Sequence, residues 1–265
     1  MNALTFTSPF ELIPGDPARG IVLVADHAKR ALPETYGALG LPTSEFERHI
    51  AYDIGVEMVT RTLSARLGVP AVLGGFSRLL IDPNRGINDP TLIRQLYDGT
   101  IIPGNYPLPP EERQKRIDHF YRPFHHAVDE AVRGVGEAIG GAPLIIAIHS
   151  FTPSLLGRKR PWEVGVLWDI DSRAAGPLIE MLRADGNLTV GDNEPYDGAY
   201  PGDTMHQHAT MKGFPYALIE LRQDLIAGQD GAIAWSETLA PMVEAINTRP
   251  DIHKVMHFGS RTDHM

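Results

Sequence analysis

The sequence predicts a three-layer α/β/α fold on a mostly parallel, mixed sheet. Two features carry this expectation: apolar, β-branched runs that are continuous rather than alternating, and helical patterns that fall between them. A strand that is apolar at every position is covered on both faces, as in a sheet sandwiched between helices. At 265 residues one such domain is expected, with a core from about 20 to 247 and a tail over 248–265. No internal repeat or linker-like stretch divides the chain.

Six runs read as strands. They are "IVLVA" (21–25), "PAVLGGF" (70–76) leading into "RLLI" (78–81), "PLIIAI" (143–148), "VGVLW" (164–168), "LTV" (188–190) and "YALIEL" (216–221). The first helix is expected over 44–67. Thr43 and Ser44 stand as caps, Phe46, Ile50, Ile54, Val59, Leu63 and Leu67 recur at near-helical spacing, and Gly68 is the stop. A second helix runs from about Pro109 to Ile139, kinked or interrupted by Pro123. Two more cover about 172–185 and 231–247.

"GDNEPYDGAYPGDTMHQH" (191–208) is long and irregular, which in a compact domain marks a lid or binding loop. Its acidic spacing fails the calcium-loop pattern. The last stretch, "RPDIHKVMHFGSRTDHM", is weakly patterned, and is expected either to fray or to pack on a neighbouring subunit.

A net charge of −9 argues against a nucleic-acid partner, while leaving room for local basic sites that take a small anion. The absence of cysteine excludes disulfides, thiolate zinc sites and a cysteine nucleophile. The opening "MNALTFTSPFELIPGDP" lacks a signal-peptide pattern, and no apolar stretch approaches the roughly 20 residues of a membrane span. The expectation is a soluble cytoplasmic protein with no membrane partner; the oligomeric state is left open.

Ligands of open α/β sheets bind beyond the carboxyl ends of the strands. Four expected strand ends carry polar clusters: Asp26-His27, Asp82-Pro83-Asn84-Arg85, His149-Ser150, and Glu220 with Arg222. His27 and His149 each follow an aliphatic run, where an imidazole needs a partner, and together they suggest metal ligation. A catalytic zinc takes three protein ligands and leaves a fourth position open. Asp53, on the expected first helix beside Ile50 and Ile54, is the candidate third ligand; the structural alternative pairs it with His49 or a buried arginine. Histidine and carboxylate ligands also suit cobalt, manganese or iron.

Glu220 lies among apolar residues, where burial raises a carboxyl pKa and fits it for general-base work on the activated water. The alternative is a buried pair with Arg222 or Arg85. Arg78, Asn84, Arg85 and Arg222 are candidate substrate-binding residues, since guanidinium forks hold carboxylates in bidentate fashion. Asp82 either orients His27 or caps the turn. His125 and His126, in an expected solvated helix, and His206 and His208, in the long loop, are reserve ligands. There is no G-x-S-x-G elbow, P-loop or H-E-x-x-H motif.

From about residue 20 to 245 the chain resembles the N-formylglutamate amidohydrolase family. The resemblance rests on "VLVADHA", "ERHIAYDIG", "SRLLIDPNR", "DGTIIPGN", "IHSFTP", "VGVLWD", "GDNEPY" and "LIELRQDLI". It implies a zinc-exopeptidase (phosphorylase/hydrolase)-like fold and metal-dependent hydrolysis of an N-acyl acidic amino acid, foremost N-formyl-L-glutamate, with Zn2+ as cofactor. It further implies that His27 and His149 are metal ligands, that Glu220 is the general base, and that Asp82-Pro83-Asn84-Arg85 is the D-x-N-R turn that binds substrate carboxylate. The superfamily's H-x-x-E pair is absent, because Arg30 stands three residues after His27. Asp53, in "AYDIGV", resembles an acid of the family in position. The alternatives are a hydrolase for another N-acyl amino acid or small peptide, and a metal-free carboxylate-binding protein.

Overall fold

The computed structural model describes residues 5–263; the first four residues of the N-terminal stretch and the last two of the tail lie outside it. Seven strands form one sheet: β1 (Phe10–Ile13), β2 (Ile21–Ala25), β3 (Ala71–Gly74), β4 (Leu144–Phe151), β5 (Val164–Leu167), β6 (Val190–Asp192) and β7 (Tyr216–Arg222). Their spatial order is β1-β3-β2-β4-β7-β5-β6. Strands β2, β3, β4 and β7 are mutually parallel, β1 is antiparallel to β3, and the parallel pair β5–β6 joins β7 antiparallel. The sheet is therefore mixed and mostly parallel, as expected, and its four parallel strands point their carboxyl ends to one edge.

The helices are α1 (Val56–Leu67), α2 (Pro110–Arg116), α3 (Arg122–Ile139), α4 (Ala175–Ala184), α5 (Thr204–His208) and α6 (Gln229–Asn247). On one face, α1, α4 and α6 bury their apolar stripes against Leu23, Leu73, Ile146 and Ile219. On the other, α3 and the turns before it cover Val24, Val72, Ala147 and Leu218. Strand alternation thus sends His149, two residues beyond Ala147, and Glu220, two beyond Leu218, to the α3 side.

Several sequence expectations are corrected. "RLLI" is not a strand: the chain leaves the sheet after Gly74 and turns, with Leu80 N–H donating to Ser77 O at 3.0 Å. Leu79, Leu80 and Ile81 are fully buried all the same, in the cluster under α3. A Cβ at Gly74 would lie 2.0 Å from Asp26 O, so this exit exists only because the side chain is missing.

The expected 44–67 helix breaks into a 3-10 turn (Thr43–Glu47), an irregular stretch and α1. Gly55 is the break. Its φ is +86°, and a Cβ there would meet Ile226 O at 2.2 Å. Between α2 and α3 the helix continues through a π turn (Ile117–Tyr121) just ahead of Pro123, whose missing N–H favours such a widening. The tail packs on its own body: Arg261 contacts Asp169 and Asp197, and Arg173 donates to Asp251 O and Lys254 O. No helix among the described residues is long and apolar enough to cross a membrane.

Candidate active site

His27 follows β2, Asp53 precedes α1, Arg78 and Asp82 follow β3, His149 is on β4 and Glu220 is on β7. All six are buried. Asp53 is not on a helix, as the sequence suggested; it sits in the turn before Gly55, and its N–H donates to His27 O at 2.9 Å. That backbone link places its carboxylate against both histidines. Asp53 Oδ2 lies 3.0 Å from His149 Nδ1 and 3.5 Å from His27 Nδ1. Candidate ligand atoms of His27, Asp53 and His149 all lie within 4.8 Å of one another. The other Asp53 oxygen pairs with Arg78, so the structural alternative for this residue holds as well.

Each imidazole meets a carboxylate at its far nitrogen: His27 Nε2 and Asp82 Oδ1 are 2.7 Å apart, and His149 Nε2 and Asp26 Oδ2 are 3.0 Å apart. The hydrogen bond to Asp82 fixes the tautomer of His27 and aims its remaining nitrogen inward. His27 Nε2 holds the proton shared with Asp82, and buried Nδ1 is left without a hydrogen-bond partner. Burial, with the charge of Arg78, pushes the His27 pKa down to about 4. It is a neutral imidazole at pH 7, with its lone pair facing Asp53 and His149. A bare nitrogen, a second nitrogen and a carboxylate around one point form a donor set that fits a divalent metal.

Asp82 performs both of its expected roles, since the same oxygen accepts from Asn84 N–H at 3.0 Å. Burial opposes its ionisation, but the charges of His27, Arg85 and Arg78 hold it far below the usual carboxylate range. For His149, burial is outweighed by the Asp26 hydrogen bond and charge, which raise its pKa. Glu220 is the register neighbour of His149 on the adjacent parallel strand. Burial raises its pKa against the opposing charges of His149, Arg78 and Arg160, and Oε2 makes no hydrogen bond.

The Asn84-Arg85 turn is clasped by the long loop. Thr204 N–H donates to Asn84 Oδ1 at 3.0 Å, and Arg85 stacks on the Tyr200 ring at 4.6 Å. Tyr121, delivered by the π turn, donates its hydroxyl to Arg85 O at 2.9 Å. Arg222 is committed elsewhere, to Glu163 at 3.1 Å and Asp224 at 2.9 Å.

The reserve histidines are not at the cluster. His125 is buried rather than solvated; its Nδ1 lies 2.8 Å from His208 Nε2 and its Nε2 lies 3.0 Å from Pro83 O. His208 Nδ1 lies 2.9 Å from Asp129. They buttress the turn from beneath. A cavity of about 1110 Å³ between α3 and the 200–211 segment is lined by Tyr121, His125 and Tyr200 but by none of His27, Asp53 and His149.

Two contributors were not foreseen. The sequence places Asp26 in a strand-end cluster but shows it no partner, and Arg160 lies in the polar stretch "GRKRPW", where nothing marks it.

The family model for N-formylglutamate amidohydrolase matches residues 19–227. The gene product Atu2144 from Agrobacterium tumefaciens is 33% identical, with 91% of this chain and 95% of that one aligned and a TM-score of 0.83. An N-formylglutamate amidohydrolase from Ralstonia eutropha JMP134 shares the fold at 24% identity, with 91% and 97% covered and a TM-score of 0.67. A search of curated proteins found no match.

Proposed function

The chain belongs to the N-formylglutamate amidohydrolase family, a family of hydrolases acting on amides, and from that premise we propose that it is a metal-dependent enzyme cleaving N-formyl-L-glutamate to formate and L-glutamate. The observation that carries the proposal is the buried His27–Asp53–His149 set with Glu220 in register beside His149. His27, Asp53 and His149 would hold the metal, zinc by preference. When bound it supplies Lewis-acid polarisation of the formyl carbonyl and acidifies water.

The chain's own residues do the rest. Asp82 holds the His27 imidazole in the tautomer that ligation requires, and Asp26 lies against His149 Nε2. Glu220 takes a proton from the attacking water and delivers it to the leaving nitrogen as the C–N bond breaks. Its raised pKa suits both halves of that transfer. Arg78, buried among these groups, and Asn84 with Arg85 in the turn hold the anionic substrate. Arg222 closes β7 against Glu163, outside the substrate set.

The test is formate release from N-formyl-L-glutamate, before and after chelator treatment and with zinc added back. Chelator-sensitive release restored by zinc is the expected result. Release that ignores the chelator removes the metal from the proposal. No release under any condition moves the assignment to another N-acyl amino acid, and an unchanged melting temperature on adding zinc then favours a metal-free carboxylate-binding protein.

A further inference from the structure

Four arginines are buried among the described residues: Arg78, Arg116, Arg160 and Arg173. Three pair with a carboxylate, namely Asp53, Glu112 and Asp171 respectively. Arg160 pairs with none. A buried guanidinium without a counter-ion is costly unless a ligand supplies the charge.

Its surroundings define what that ligand is. Nη1 is spent within the protein, on Thr152 O at 3.4 Å, Thr152 Oγ1 at 3.2 Å and the Tyr196 hydroxyl at 3.0 Å. The guanidinium carbon lies 5.0 Å from the Tyr196 ring and 5.7 Å from Phe151, which fix its orientation. Nε and Nη2 make no hydrogen bond among the described residues, and together they form the edge that a carboxylate grips in bidentate fashion. The Tyr196 hydroxyl accepts from Arg160, so its own proton is available to a second acceptor, and no described residue takes it. Arg160 also stands close enough to Glu220 for its charge to oppose that group's raised pKa.

We propose that Arg160 and Tyr196 form a carboxylate subsite that reads the side-chain carboxylate of the substrate, apart from the Asn84-Arg85 turn. This rests on the amidohydrolase reading and adds the specificity element to it. The turn would serve every N-acyl amino acid, whereas the Arg160 subsite rewards only an acidic one. A neutral side chain there leaves the guanidinium charge uncompensated.

The test compares N-formyl-L-glutamate with N-formyl-L-glutamine, which lacks the side-chain charge. In Arg160→Gln the ratio of their kcat/KM values should fall about 100-fold, mainly through KM for the glutamate substrate. Tyr196→Phe should lower it about 10-fold, and Arg160→Lys should recover part of the loss. An unchanged ratio in Arg160→Gln overturns the subsite, and so does an equal loss on both substrates. Should Arg160→Gln fail to fold, Arg160→Lys and Tyr196→Phe carry the same comparison. Should the wild type hydrolyse neither substrate, the N-formylglutamate reading falls and a binding readout decides alone. Glutarate, but not butyrate, should then raise the wild-type melting temperature, and a glutarate shift kept in Arg160→Gln overturns the subsite.

Discussion

Glu220 shows how one residue acquires its chemistry from position alone. It occupies a strand whose neighbouring positions are buried, and alternation turns it to the same face as His149. Burial then lifts its pKa with no hydrogen bond on Oε2 to stabilise the anion. In the proposed role of proton carrier, Glu220→Gln should lower kcat by about 1,000-fold with zinc binding unchanged, measured by formate release and metal analysis on one sample. A variant within threefold of wild type would remove Glu220 from the proton transfer. His27, His149 and Glu220 could be picked out from sequence because a polar side chain in an apolar run needs an explanation. Asp26 could not be given its role. What it does depends on lying 3.0 Å from His149, which only the pairing of the parallel strands establishes.

At the scale of elements, the turn at Asp82-Pro83-Asn84-Arg85 is held on three sides. His27 meets Asp82, Thr204 and Tyr200 meet Asn84 and Arg85, and His125 meets Pro83 O. Arg85→Ala should raise KM for N-formyl-L-glutamate by about 10- to 100-fold with kcat little changed; an unaltered KM would take the turn out of substrate binding. The composition of this turn was readable, but its entry was misjudged as a strand. Apolar continuity in Leu79-Leu80-Ile81 reports burial, and buried turns satisfy it too. The helix expected across Asp53 failed likewise, because helical spacing cannot register the contact between Gly55 and Ile226.

His125, in the histidine pair beneath the turn, bears on acid stability. Pro83 O only accepts, so His125 Nε2 carries the hydrogen, and His125 Nδ1 lies 2.8 Å from His208 Nε2. Burial, and the neighbouring His208, push the His125 pKa down to about 4. In the unfolded chain a histidine titrates near pH 6.5. Between those values the unfolded chain binds more protons, so stability falls as pH drops from about 6.5 towards 4. The His125 contribution amounts to about 2 kcal/mol between pH 7 and 5. In urea titrations at those two pH values, His125→Gln should lose less stability on acidification than wild type. An equal loss would mean that His125 titrates normally in the fold.

Across the whole molecule, the layered architecture and the convergence of strand ends could be read from the sequence, because parallel strands covered on both faces have few arrangements. Edge strand β1 was missed: it is short and only partly buried, so it lacks the continuous apolar run that marked the others. The strand order carries a consequence for the birth of the protein. Strands β5 and β6 pair with each other and reach the rest of the sheet only through β7, the last strand in the chain. A nascent chain that has emerged as far as Phe214 therefore has a gap at the middle of its sheet, bordered by the open edges of β4 and β5. The seven residues of β7 fill that gap and bring Glu220 with them. Closure of the sheet and completion of the candidate catalytic set arrive in the same step of synthesis.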